Sequence, residues 1–143
     1  VYLGIAGAAR NAAIKFAQER VPTGMTAPIA ELQTVQHRTA EMELLYWQAR
    51  TVFYDVAERW VSDPEARPGM TWEAAAAKYV VTNNVNRITD LALRIVGSAG
   101  LSRTMPLERY FRDARAALGH PPMDDVALTM IGKHALGLDN AKK

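Results

Sequence analysis

The stretch LQTVQHRTAEMELLYWQARTVFYDVAERW at residues 32–60 decides the fold. Leu32, Val35, Thr39, Met42, Tyr46, Ala49, Phe53, Val56 and Trp60 recur at alternating steps of three and four without a break. A sustained period near 3.5 residues is the seam of a long helix packed at a shallow angle in a left-handed bundle. Pro28 suits the first turn of this helix. Asp63-Pro64 stops it, and Pro68-Gly69 makes the loop that follows. At 1.5 Å per residue, roughly 30 residues span about 45 Å.

Working outward, the flanking segments keep the helical period. Upstream, Ile5, Ala9, Ala12 and Phe16 step by four, three and four, with Ala6, Ala13 and Ala17 beside them; this small-residue face lets a neighbouring helix approach closely. Pro22 and Gly24 end that segment. Downstream, Thr71 is a plausible N-cap with Glu73 in the first turn. Its stripe reads Val81, Val85, Ile88, Ala92, Ile95 and Ala99, and the Gly97-Ser98-Ala99-Gly100 cluster closes it. A fourth helix begins near Pro106 and buries Leu107, Tyr110, Phe111 and Ala114 until Gly119-His120-Pro121-Pro122 breaks the chain. Asp124 is placed to cap a last helix carrying Val126, Met130, Ile131 and His134, closed by Gly137, with a polar tail at 139–143 expected to fray. No strand alternates at period two and no repeat of 20 to 50 residues occurs. The fold expected is all-α: an up-and-down, four-helix-type bundle of three long helices with two short C-terminal ones.

With 143 residues, 49% hydrophobic and 22% charged, the chain has the size and composition of one globular domain. No apolar run reaches the ~18 residues a membrane span needs, so no membrane partner is expected. The absence of cysteine excludes a disulfide scaffold, a zinc finger, an iron–sulfur site and a cysteine nucleophile, and fits a reducing, cytoplasmic setting. The net charge is only +2. Arg87, Arg94, Arg103, Arg109, Arg112 and Arg115 outnumber Asp90, Glu108 and Asp113, but a solvated helix face explains them without a nucleic acid. The sequence opens at Val1 directly in a helical pattern with no signal-like segment, and reads as a piece of something longer.

Metal chemistry finds no support. No Glu is followed three residues later by His, and His37, His120 and His134 are scattered without an H-E-x-x-H pair. The Gly97-Ser98-Ala99-Gly100 cluster is no P-loop, since no Gly-Lys-Ser/Thr follows; by itself it is a helix C-terminus with permissive glycines. His120 is different. The residue before proline avoids the α region, so His120 ahead of Pro121-Pro122 is held extended between two helices and can present its imidazole to a cleft. Asn83, Asn84 and Asn86 span most of a turn, so at least one faces inward, where helix-to-helix hydrogen bonding is its simplest role.

Taken in order, these segments resemble the C-terminal helical domain of the acyl-CoA dehydrogenase family. The likeness is carried by Arg94-Ile95-Val96-Gly97-Ser98-Ala99-Gly100-Leu101, then Pro106-Leu107-Glu108-Arg109-Tyr110-Phe111-Arg112-Asp113-Ala114-Arg115, which matches the family's glycine turn and its Arg-Asp-Ala hallmark. Leu3-Gly4-Ile5-Ala6, Glu19-Arg20, residues 31–50 with Gln33 and Ala40-Glu41-Met42, and Ala77-Lys78 extend it over nearly all of residues 1–143. The resemblance implies one part of a three-part flavoprotein, without its N-terminal helical and middle β domains. It implies FAD (or FMN) shared with those other domains, and Arg20, Gln33, Gly97, Ser98 and Gly100 reaching the nucleotide of a neighbouring subunit. A homodimer or homotetramer, acting on an acyl-CoA or an aromatic small molecule, is implied with it.

Many members carry a catalytic Glu a few residues after Arg-Asp-Ala; Pro121 stands at the matching place, with His120 next to it. Proline cannot take a proton. The Gly119-His120-Pro121-Pro122 pattern resembles the type-2 branch, which includes flavin monooxygenases, and this makes His120 the expected catalytic residue. The competing reading from another class is a non-catalytic helical bundle that binds partner helices or assembles with itself. Taken by itself, the chain is expected to be inactive.

Overall fold

A computed structural model describes residues 1–139. Five α-helices form the domain: α1 (Tyr2–Glu19), α2 (Gln33–Ser62), α3 (Thr71–Val96), α4 (Leu107–Gly119) and α5 (Asp124–Ala135). Short 3-10 segments at Ile29–Glu31, Pro64–Gly69 and Gly97–Leu101 link them, and no strand occurs among the described residues. The all-α, up-and-down bundle with short C-terminal helices is therefore what the chain adopts. The expected fraying of the tail falls mostly on residues 140–143, outside those described.

α3 is the hub, packed by α1, α2, α4 and α5 alike. The reason lies in its sequence: Val81, Val85, Ile88, Leu91, Ala92, Ile95 and Val96 are all buried, so apolar side chains surround much of the helix rather than forming one stripe. α1 meets it through Ala6, Ala9, Ala13 and Ala17, whose small side chains keep the helix axes close. A buried amide ties the hub to α4. Asn86 donates from Nδ2 to the Thr82 carbonyl at 2.8 Å and to the Ala114 carbonyl at 3.0 Å. Asn84 donates to the Leu45 carbonyl of α2 at 3.0 Å, so helix-to-helix bonding is indeed what these amides do.

The structure corrects several sequence-based boundaries. Pro28 precedes the Ile29–Glu31 turn rather than α2, which starts only at Gln33. Thr71 is the first residue of α3 and caps nothing, because buried Met70 takes the cap position and its carbonyl accepts from the Ala74 N–H at 3.0 Å. Asp124 likewise opens α5 without capping it, its carboxylate being drawn to Lys78 and Asn83. Ala99 is exposed because α3 ends at Val96, before the stripe does. Of the expected α5 face, Val126 and His134 are exposed and the fully buried residue is Ala127.

The α2 seam is buried at Val35, Met42 and Ala49, whereas Phe53 and Trp60 farther along remain 43% and 42% exposed. The seam is continuous in sequence, but its fully buried members lie between Val35 and Ala49, with Leu32 ahead of them exposed and Val56 beyond them half-buried.

Ile88 is fully buried on the hub. Replacing it by Ala removes three carbons from a closed core and is expected to cost about 2–5 kcal/mol, seen as a lower urea midpoint with unchanged slope.

Candidate functional site

Of the residues singled out from the sequence, Arg20 and Ser98 lie at one end of α1 and His120 at the other. Eighteen residues at 1.5 Å each set these ends about 27 Å apart.

At the C-terminal end of α1, Arg20 is the C-cap in extended conformation (φ −82°, ψ 111°), and its carbonyl accepts from the Ile29 N–H at 2.9 Å, closing the 21–28 loop. Across from it, α3 ends at Gly97, whose φ of 70° and ψ of −150° lie in a region open essentially to glycine alone. The chain leaves the helix there into the Gly97–Leu101 turn, which carries Ser98. Arg20 and Ser98 line one cavity of about 420 Å³ together with Phe16, Ile29 and Val96. Neither the Arg20 guanidinium nor the Ser98 hydroxyl has a hydrogen-bonding or ionic partner among the described residues. This is a cationic fork beside a hydroxyl on an apolar floor, a donor set that suits an anion such as pyrophosphate, although Gly97 itself does not line the cavity.

Two other expected members of this site stand apart. Gly100 is buried, and a Cβ there would come within 3.0 Å of Leu93 Cδ2 and 3.3 Å of Val96 Cγ1, so its glycine serves close packing. Gln33 is the exposed first residue of α2 and does not line the cavity. Arg94, one turn ahead of the corner, is engaged elsewhere: Nε donates to Asp90 Oδ2 at 2.8 Å, and that hydrogen bond holds its pKa above the ordinary arginine value. Arg87 pairs with Glu41 and Asp90, and Arg112 with Glu108, so much of the basic run is neutralised within the bundle.

At the N-terminal end of α1 the structure places His120. It is the C-cap of α4, extended at φ −82° and ψ 139°, as a pre-proline residue should be. Its Nδ1 lies 2.8 Å from the Tyr2 hydroxyl, and the two rings are tilted with centroids 5.8 Å apart. Tyr2 also lines an apolar cavity of about 740 Å³, whose walls include Phe53, Val56, Trp60 and Val81. Lys78 reaches the same cavity. Its Nζ is 3.4 Å from Asp124 Oδ1, and Asp124 Oδ2 accepts from Asn83 Nδ2 at 3.0 Å. The 120–124 loop is thus pinned at both ends, to α1 through His120 and to α3 through Asp124.

Sequence reasoning missed Tyr2, Lys78 and Asp124 as members of this end. Tyr2 and His120 are 118 positions apart, beyond any local signal. No group of three metal-ligating side chains occurs among the described residues, and no described helix is long and apolar enough to cross a membrane.

A family model described as "Acyl-CoA dehydrogenase, C-terminal domain" matches residues 1–136. YdbM of Bacillus subtilis (strain 168) is 45% identical over 94% of this chain and 35% of its own length. The 3-sulfinopropanoyl-CoA desulfinase of Cupriavidus necator is 36% identical over 80% of this chain and 27% of its own. Among solved structures, the glutaryl-coenzyme A dehydrogenase glutaryl-CoA complex superimposes with a TM-score of 0.86 at 30% identity, covering 99% of this chain and 35% of that one. The chain spans about a third of the length of the curated relatives it matches.

Gly97→Ala forces a side chain into a glycine-only conformation and is expected to destabilise the domain by about 1–3 kcal/mol, although a Cβ there meets no atom within 4 Å. Chemical denaturation of the two proteins measures the difference.

Proposed function

The chain belongs to the acyl-CoA dehydrogenase family, as its C-terminal helical domain, and from that premise we propose that it serves a flavin-dependent oxidoreductase acting on a CoA thioester. In this reading residues 1–143 are one of three domains, the others being an N-terminal helical and a middle β domain. Supporting it are the length of the relatives and their names, several of which specify CoA thioesters. The observation that carries the reading is the cavity shared by Arg20 and Ser98 at the Gly97 corner.

That corner would hold the pyrophosphate of FAD (or the phosphate of FMN). The guanidinium offers a bidentate charge-assisted contact and Ser98 a hydroxyl donor, while the absence of a Cβ at Gly97 leaves the backbone open to close approach. When bound, the flavin supplies the two-electron redox chemistry, which no side chain here can perform. Because His120 and the corner sit at opposite ends of α1, a helix about 27 Å long, the corner and the imidazole serve different cofactors, one of them a neighbouring subunit's; this supports a homodimer or homotetramer. His120 meets the reacting end of the substrate beside the apolar cavity at Tyr2, and polarises or deprotonates it there. The exposed apolar side chains of α2, with Trp47 at 67% and Val61 at 73%, form the face that other domains or subunits cover.

A second reading is favoured by one specific observation. Pro121 stands where the resemblance places a catalytic carboxylate, with His120 beside it. This supports a type-2 flavin monooxygenase, using reduced flavin and oxygen on an aromatic substrate.

The two readings separate in the full-length flavoprotein. Rapid reduction of an electron-acceptor dye by acyl-CoA supports the dehydrogenase; oxygen-dependent hydroxylation with supplied reduced flavin supports the monooxygenase; a full-length protein that binds no flavin overturns both. The 143-residue chain by itself is expected to emerge colourless from a desalting column after incubation with FAD. In the full-length protein Arg20→Ala removes a charge-assisted bond of about 1.5–3 kcal/mol and should weaken FAD retention by roughly tenfold or more, measured by flavin fluorescence.

A further inference from the structure

We infer that Tyr2 is a positioning residue that fixes the tautomer of His120, holding Nδ1 as an acceptor so that Nε2 carries the proton and works as a hydrogen-bond donor rather than as a base. The inference rests on the reading that His120 faces a reacting group, and it assigns the class of atom that group must present: a lone-pair oxygen, such as a thioester carbonyl or a phenolate.

The geometry begins with the backbone. His120 is extended ahead of two prolines and follows the last residue of α4, so its side chain leaves a segment that cannot be drawn into the helix. Tyr2 opens α1, which packs on α4. The phenol oxygen and Nδ1 therefore meet at 2.8 Å from two independently anchored elements.

A neutral imidazole has one N–H and one lone pair, so whichever nitrogen bonds Tyr2 decides what the other can do. Two arrangements satisfy the distance. In one, Nδ1–H donates to the phenol oxygen and Nε2 is left as a lone-pair base. In the other, the phenol O–H donates to Nδ1 and Nε2–H points away. The phenol is the more acidic donor and imidazole nitrogen the more basic acceptor, so O–H to Nδ1 is the stronger bond. The Tyr2 hydroxyl has no other protein acceptor among the described residues, so its proton has a protein partner only in this second arrangement. Asp124, the nearest carboxylate along the loop, is committed to Lys78 and Asn83 and does not compete for the imidazole.

The consequence is chemical. An Nε2–H donor stabilises negative charge building on a substrate oxygen, which a base at that position would oppose. A proton acceptor for the same reaction must then come from elsewhere in the assembled enzyme.

The test is nitrogen-15 NMR of the histidine side chains in the 143-residue chain, at a pH where the imidazole is neutral. The expected spectrum has His120 as a single tautomer with protonated Nε2 and unprotonated Nδ1, relaxing to a tautomer mixture in Tyr2→Phe. A wild-type spectrum with protonated Nδ1, or a tautomer ratio unchanged by Tyr2→Phe, overturns the proposal. Neither result depends on flavin, so failure here is distinct from failure of the functional reading. In the full-length enzyme, His120→Gln keeps an outward N–H and should retain much more kcat than His120→Ala; equal loss in the two would contradict the donor role.

Discussion

The whole bundle hangs on the burial of α3. A helix with Val85, Ile88, Leu91, Ala92 and Ile95 all inside is unstable in water by itself and stable only when neighbours cover it on several sides. α1 meets this demand with alanines, α2 with one seam, and α4 and α5 with short faces. Two of the few polar groups admitted to that interior, Asn86 and Thr89, are bonded to backbone carbonyls, so they add specificity without leaving their donors unpaired. Oδ1 of Asn86 is the exception, buried with no partner among the described residues.

From that constraint the placement of the two candidate ends follows. The alanine face fixes α1 tightly against the hub, so the distance between its termini is set by helix geometry rather than by loops. Whatever binds at Arg20 and whatever meets His120 are held apart by a rigid strut. The turn at Gly97 then does at one end what the prolines do at the other. Each forces the chain out of a helix at a defined point and presents a polar side chain, Ser98 or His120, to open space.

Sequence alone disclosed the fold well because periodicity reports which side chains seek burial. It disclosed less about what satisfies them. The seam through Phe53, Val56 and Trp60 is as regular as the part through Val35, Met42 and Ala49, yet only the latter is fully buried, while Phe53 and Trp60 stay exposed among the described residues. A repeat states that a face is apolar; it does not state whether the cover lies in this chain. Caps failed for a related reason. Thr71 and Asp124 have the right chemistry for an N-cap, but a buried Met70 and the pull of Lys78 decided the local backbone instead, through tertiary contacts no local rule contains. Arg20 and Ser98 were legible through a family resemblance and are neighbours in space, whereas the same resemblance brought in Gly100, whose place is filled by packing, and Gln33, which stands outside the cavity.

The Tyr2–His120 contact shows where the chemistry of a site is decided. Histidine before proline marks a candidate, and residue type alone then permits either a base or a donor. What selects between them is one partner 118 positions away, acting through the single proton a neutral imidazole can carry. A substitution at Tyr2 leaves every local feature around His120 intact, including its extended backbone and its prolines. It nevertheless frees the ring to take either tautomer. The role proposed for His120 therefore depends on the packing of α1 on α4, and through the alanine face of α1 on the same burial of α3 that holds the bundle together.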